Sequence, residues 1–260
     1  MHTPSLTLRL SLFLSVFLCC SPALLAQASA PAPASSDAVD TRLDDIIKDT
    51  QRPVGGKDIA GLVWWIPAEF WEVSAVQQGS TPEKARETFA PMREYTMVIV
   101  AVGKVGIGNI TWYSEADVRS STTLRDADGQ SYKPLADISP DATGIASIVK
   151  PVLGNTLGQT GQNLQIMFFP AKTAAGKFIA DPTRAGSFSV VIENLAGPKL
   201  STFEWRLPLT SLSPPRFCPV GKERVEANWK YCPWHGVKLP DSPPAFIPLI
   251  ELKPKSDKPQ

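Results

Sequence analysis

Histidine and cysteine are scarce in this 260-residue chain, which has two of the first and four of the second. Three of these six, His2, Cys19 and Cys20, fall within the first 28 residues, so His235, Cys218 and Cys232 are all that the remainder holds. One imidazole excludes histidine-rich metal sites and any catalytic arrangement that needs two. No Gly-x-Ser-x-Gly elbow is present either, which removes the usual setting of a Ser-His-Asp triad. An excess of one charge is also missing, with Lys+Arg 26 against Asp+Glu 25. Without a basic surplus the chain lacks the electrostatic drive for nucleic-acid binding. Nor is there an apolar run of the roughly 20 residues that a membrane-spanning helix requires.

The longest apolar stretch, Leu10 to Cys20, follows Arg9 and is broken by Pro22. Ala26-Gln27-Ala28 and Ala28-Ser29-Ala30 then offer small-x-small cleavage sites. This is the pattern of a cleavable secretory leader over residues 1–28, with the mature chain starting near Ser29 or Pro31. Phe17 and Leu18 before Cys19 argue against lipid attachment there. The expectation is an exported protein, periplasmic or secreted, with no membrane span after cleavage.

Pro31-Ala32-Pro33-Ala34-Ser35-Ser36 reads as an extended linker, residues 29–38. Val39, Leu43, Ile46 and Ile47 recur at helical spacing, which predicts a short helix with its connection over residues 39–54. Ser80, Thr81, Pro82 and Glu83 form a helix start that runs towards Pro91. Between and after these, strands are predicted at Leu62 to Ile66, Tyr95 to Val102, Asn109 to Tyr113, Ser121 to Arg125, Asn163 to Phe169, Ser187 to Ile192 and Thr202 to Leu207. Many short strands with glycine- and proline-rich connections indicate a mainly β chain. The specific expectation is an immunoglobulin-like β-sandwich over residues 55–210, with one or two short helices. Ser211 to Pro215 marks a boundary, residues 216–239 form a small separate unit, and residues 240–260 a proline-rich tail. Within that tail Phe246-Ile247-Pro248-Leu249-Ile250 is apolar, and docking back onto the body is favoured over engaging a partner.

The unit at 216–239 holds Phe217-Cys218-Pro219-Val220-Gly221 and, further on, Trp229-Lys230-Tyr231-Cys232-Pro233-Trp234-His235-Gly236. It resembles the small bacterial zinc ribbon, in which two Cys-Pro-x-Cys-Gly knuckles are separated by a stretch ending in Trp-Lys-Phe or Trp-Lys-Tyr. The resemblance implies zinc held by four thiolates or imidazoles. Here Cys232 and His235 occupy the second knuckle's ligand places and Cys218 the first of the other. Gly221 either replaces the fourth ligand or is the glycine that follows a deleted one, and the vacancy would go to water or to a carboxylate such as Glu223. In an oxidising compartment, two cysteines 14 positions apart are expected first to form a Cys218–Cys232 disulfide. Zinc through Cys218, Cys232 and His235 is the second expectation, free thiols the third. No general base stands beside the site, so its role is read as structural.

Other motifs yield to plainer readings. Asp126-Ala127-Asp128-Gly129 starts like a calcium loop, but its glycine is misplaced and Asp137 sits where a bidentate Glu belongs, so a hairpin turn is expected. Residues 154–161 are glycine-rich without the Lys-Ser/Thr of a phosphate loop and read as a flexible loop. Trp64, Trp65 and Trp71 suit a ligand-stacking platform less well than a core. Asn109-Ile110-Thr111 is a glycosylation sequon only in a eukaryote, and the leader is bacterial in style. The function expected is a non-enzymatic binding or assembly module of the bacterial envelope, without cofactor, whose partner is an unidentified protein or envelope component. A secreted hydrolase drawing on Glu69, Glu72 or Glu94 is the first alternative, a structural zinc protein the second.

Overall fold

In the computed structural model, residues 37–56, 58–195 and 201–241 are described. The leader, most of the linker and the apolar segment Phe246–Ile250 lie outside them. The chain opens with helix α1 (Asp37–Thr50), strands β1 (Gln51–Gly55) and β2 (Ile59–Ile66), and helices α2 (Ala68–Gln77) and α3 (Pro82–Phe89). A 3-10 turn at Ala90–Glu94 leads into β3 (Tyr95–Val105), β4 (Ile110–Trp112), α4 (Glu115–Ser121), β5 (Thr122–Arg125) and β6 (Ser131–Tyr132). Helices α5 (Pro140–Thr156) and α6 (Gly158–Gln162) precede β7 (Gln165–Pro170), β8 (Gly186–Ile192) and β9 (Ser201–Leu207). A second 3-10 turn at Thr210–Leu212 and the two-residue strands β10 (Arg216–Phe217) and β11 (Arg224–Val225) complete the order.

All pairings between these strands are antiparallel. The first sheet runs β1-β2-β3, and the length of β3 lets it take two partners on its far edge, β7 along Tyr95–Val100 and β4 along Gly103–Val105. The second sheet has the order β6-β5-β8-β9. Successive side chains of a strand point to opposite faces, and β2 uses this with two neighbouring indoles. Trp65 meets Phe188 and Trp205 of the second sheet at centroid distances of 4.9 and 6.4 Å. Trp64 turns the other way, against Phe70 of α2 at 5.4 Å. The first sheet is therefore a middle layer, covered by a sheet on one face and by helix on the other, which explains why β3 is buried from Thr96 to Gly103.

The core is thus built on antiparallel sheets, as a mainly β chain should be, but the expected one or two helices are six among the described residues. Two of these were hidden by composition. Helix α2 begins at Pro67 straight after the β2 run, so its apolar residues look like more strand. The stretch at 154–161 expected as a flexible loop instead joins α5 to α6. Ser139 caps α5 by accepting from the Ala142 N–H at 3.3 Å, with Pro140 in the first turn. A Cβ at Gly161 would stand 2.6 Å from the Gly154 carbonyl oxygen, so glycine is what lets the two helices approach.

Thr50, at the end of α1, satisfies two buried indoles. Its hydroxyl accepts from Trp64 Nε1 at 3.0 Å while donating to the Ile46 carbonyl at 2.6 Å, and its carbonyl accepts from Trp205 Nε1 at 2.9 Å. Replacing the hydroxyl by a methyl strands a fully buried N–H. Thr50→Val is expected to lower the unfolding free energy by about 1–3 kcal/mol in urea titrations followed by tryptophan emission. A loss indistinguishable from zero would show that Trp64 finds another acceptor. Trp64, Trp65 and Trp71 are buried, as the core reading of these residues expects.

Candidate metal centre

Beyond β9 the chain packs against the body through Thr210. Its hydroxyl accepts from the Ala227 N–H at 2.9 Å and donates to the Glu226 carboxylate, and Asn228 donates to the Arg206 carbonyl. On this base sit two turns of the same design. In the first, Cys218 N–H donates to the Glu223 carbonyl and Lys222 N–H returns to the Cys218 carbonyl, at 2.9 and 3.0 Å. In the second, Cys232 N–H donates to the Val237 carbonyl and Gly236 N–H to the Cys232 carbonyl, at 2.9 and 2.8 Å. Lys222 and Gly236 are both left-handed, with φ of 62° and 64°. Position by position, Phe217 to Lys222 repeats Tyr231 to Gly236.

This duplication settles what Gly221 is. It stands at the place that His235 holds in the second turn, so the first turn offers no side chain there. Its lack of a Cβ has a use, since an atom added at Gly221 would collide with the Glu223 carboxylate and with His235 Cε1. Glu223 thereby enters from two residues further along. The four donor atoms of Cys218, Glu223, Cys232 and His235 all lie within 4.8 Å of one another. His235 Nδ1 is 3.5 Å from Cys218 Sγ, 3.4 Å from Cys232 Sγ and 3.0 Å from Glu223 Oε1. The Cys232 thiol donates to Glu223 Oε1 at 3.1 Å.

Both cysteines are buried free thiols, which corrects the expected Cys218–Cys232 disulfide. The physical reason is that the two turns bring both sulfurs to a centre they share with a ring nitrogen and a carboxylate, all within 4.8 Å of one another, where each thiol has polar partners besides the other sulfur. Burial, and then the hydrogen bond to Glu223, push the Cys232 thiol above its ordinary range. That same hydrogen bond is the largest influence holding the Glu223 carboxyl down, at about 2. Sequence reasoning reached Cys218, Cys232 and His235 and left the fourth place to water or a carboxylate such as Glu223. The signal that would have ranked Glu223 higher is the repeat itself, which leaves a side-chain-sized gap at Gly221.

The three carboxylates considered for hydrolysis lie elsewhere. Glu69 and Glu72, one helical turn apart on α2, are both engaged by Arg93 from the neighbouring 3-10 turn. Nη1 donates to Glu69 Oε1 at 2.6 Å, and Nε and Nη2 to Glu72 Oε1 at 3.0 and 2.6 Å. Burial outweighs the guanidinium and raises the Glu69 carboxyl above its usual range, while the two carboxylates raise Arg93 against its own burial. Glu94 joins Glu69 and Arg93 only in lining an open cavity of about 600 Å³. The pair is tied to a cation and does not face across a cleft. At the hairpin turn, Asp126 Oδ1 accepts the N–H groups of Asp128 and Gln130, and Oδ2 the Tyr132 hydroxyl, so the carboxylate holds β5 to β6.

No family model, curated protein or solved structure matches the chain. Among the described residues, no helix is long and apolar enough to cross a membrane.

Proposed function

We propose that the chain is an exported, non-enzymatic binding or assembly module of a bacterial envelope, carrying at its C-terminal end a zinc-ribbon-like knuckle that holds one structural metal ion. The observation that supports this is the convergence of two thiols, an imidazole nitrogen and a carboxylate on one centre. Zinc takes tetrahedral sulfur, nitrogen and oxygen donors with bonds of about 2.3 Å to sulfur and about 2.0 Å to nitrogen. Those bonds require sulfur–nitrogen edges of roughly 3.6 Å and a nitrogen–oxygen edge of roughly 3.3 Å. The distances of 3.4, 3.5 and 3.0 Å among these donors come within a few tenths of an ångström of that. Two sulfurs and a nitrogen favour zinc over calcium or magnesium, which prefer all-oxygen shells. All four places are filled by side chains, the mark of a structural and not a catalytic site.

The reading of the body as a sandwich is supported by the Trp65, Phe188 and Trp205 contacts between two antiparallel sheets. Its immunoglobulin-like version rests on that layering alone. The single imidazole beyond residue 28 and the tying of Glu69 and Glu72 to Arg93 favour binding over hydrolysis. Export follows from the leader pattern in residues 1–28.

Metal analysis of the purified chain tests the central claim. One zinc per chain is expected, retained through gel filtration, and lost in Cys218→Ser and Cys232→Ser. Glu223→Gln is expected to weaken binding by roughly 10- to 100-fold in chelator competition, because an anionic oxygen facing the ion is removed. A metal-free chain with two reactive thiols, or a chain whose mass falls by two hydrogens into a disulfide on isolation, would overturn the proposal.

A further inference from the structure

Four large apolar side chains are exposed on the C-terminal unit: Phe217 at 54%, Val220 at 58%, Tyr231 at 60% and Trp234 at 62%. They are not scattered. Each turn of the duplicated pair exposes the residue before its cysteine and the residue two after it, so Phe217 corresponds to Tyr231 and Val220 to Trp234. The donors are at other positions, which means that holding a metal does not explain this apolar pattern. Val220 and Trp234 adjoin Gly221 and His235, the two residues that nearly touch across the site. Trp229 extends the patch against Trp234, with ring centroids 5.6 Å apart. Exposed aromatic surface gathered in this way marks an interaction site.

We propose that this surface is the docking site for the chain's own segment Phe246-Ile247-Pro248-Leu249-Ile250. The described chain ends beside it. Leu239 N–H donates to the Lys230 carbonyl at 2.9 Å, Lys238 bridges to Tyr231, and Arg216 donates to the Pro240 carbonyl. The backbone therefore leaves the unit next to Tyr231 on one side and Phe217 on the other. Five residues lead from Asp241 to Phe246, a reach of up to about 17 Å. A body the size of residues 216–239 has a radius of gyration of about 7 Å and is about 19 Å across, so that reach covers the near side of its surface, where the chain leaves beside Tyr231 and Phe217. The residues from Ser242 to Ile250 carry no charge, and three prolines among them prevent a helix that could bury the apolar side chains locally. An uncharged apolar segment whose chain leaves beside an exposed aromatic face has its natural cover there.

The inference does not depend on which metal, if any, the centre holds, and its test reads contact directly. A photoreactive benzoylphenylalanine replacing Phe246 in the full-length mature chain is expected to cross-link within the same chain to peptides containing Phe217, Tyr231 or Trp234. Tyr231→Asp combined with Trp234→Asp, both at exposed positions, is expected to cut that yield by at least about tenfold. Cross-links solely to the sheets, cross-links between two chains, or an intramolecular yield unchanged by the double substitution would each overturn it. Retention of the metal by the double variant, measured in parallel, keeps loss of docking distinct from loss of the centre.

Discussion

Replacing Arg93 by methionine is expected to lower the unfolding free energy by about 3 kcal/mol at neutral pH. The residue joins two acids that the fold has taken out of water, with side-chain exposures of 4% for Glu69 and 0% for Glu72. Removing the cation leaves both without a counter-charge, and Glu72 Oε2 already lacks a partner. The figure sits at the low end for buried pairs because the Arg93 side chain is itself 42% exposed, so water screens part of the attraction. The loss should depend on pH in a definite direction. Glu69 has a carboxyl raised by burial, and without Arg93 it rises further. A carboxyl whose folded value lies above its unfolded one favours the folded state at low pH and loses that contribution as pH climbs through the folded value. The variant should therefore approach the parent near pH 4 and fall away towards neutrality. Urea titrations at both ends measure this, with Arg93→Lys separating charge from the forked geometry. A deficit that is independent of pH would show that the lost stability is packing alone.

That same cluster shows how far the sequence could be read. Glu69, Glu72 and Glu94 are visible as acids, but nothing in their spacing says that Arg93 will come to them, because the 3-10 turn that carries it returns only after α3. Strands β2, β3, β5, β8 and β9 were legible since their β-branched and aromatic runs are bounded by turn residues. Helix α5 was not, because Gly144, Pro151 and Gly154 contradict helix propensity and the cap at Ser139 outweighs them only when the helix can pack. At the candidate centre, Cys218, Cys232 and His235 could be picked out from the sequence, and the fold brings them together with Glu223. The pairing of sulfurs was not legible. Compartment argued for oxidation, whereas the two duplicated turns fix where each sulfur points, and that is set by backbone hydrogen bonds invisible in a list of residues.

Metal uptake by this centre is expected to steepen with pH, the affinity rising by roughly 100-fold per unit through the neutral range. A thiol must surrender its proton to bind metal, and two of the four donors are thiols. The Cys232 proton is held more firmly than usual, by burial first and by the Glu223 carboxylate after it, so it is still in place at neutral pH and the ion must displace it. Glu223, held at about 2, is ionised throughout this range and contributes no proton of its own. The two ligand types therefore separate in one experiment. Glu223→Gln should weaken binding while leaving the slope near two protons per metal, whereas Cys232→Ser should lower the slope to about one as well as the affinity. Chelator competition at several pH values supplies the slope, and proton release into a weak buffer on adding zinc counts the protons independently. A parent slope of one or less would mean that the sulfurs do not both reach the ion, and the centre would then be held by His235 and Glu223 with a single thiolate.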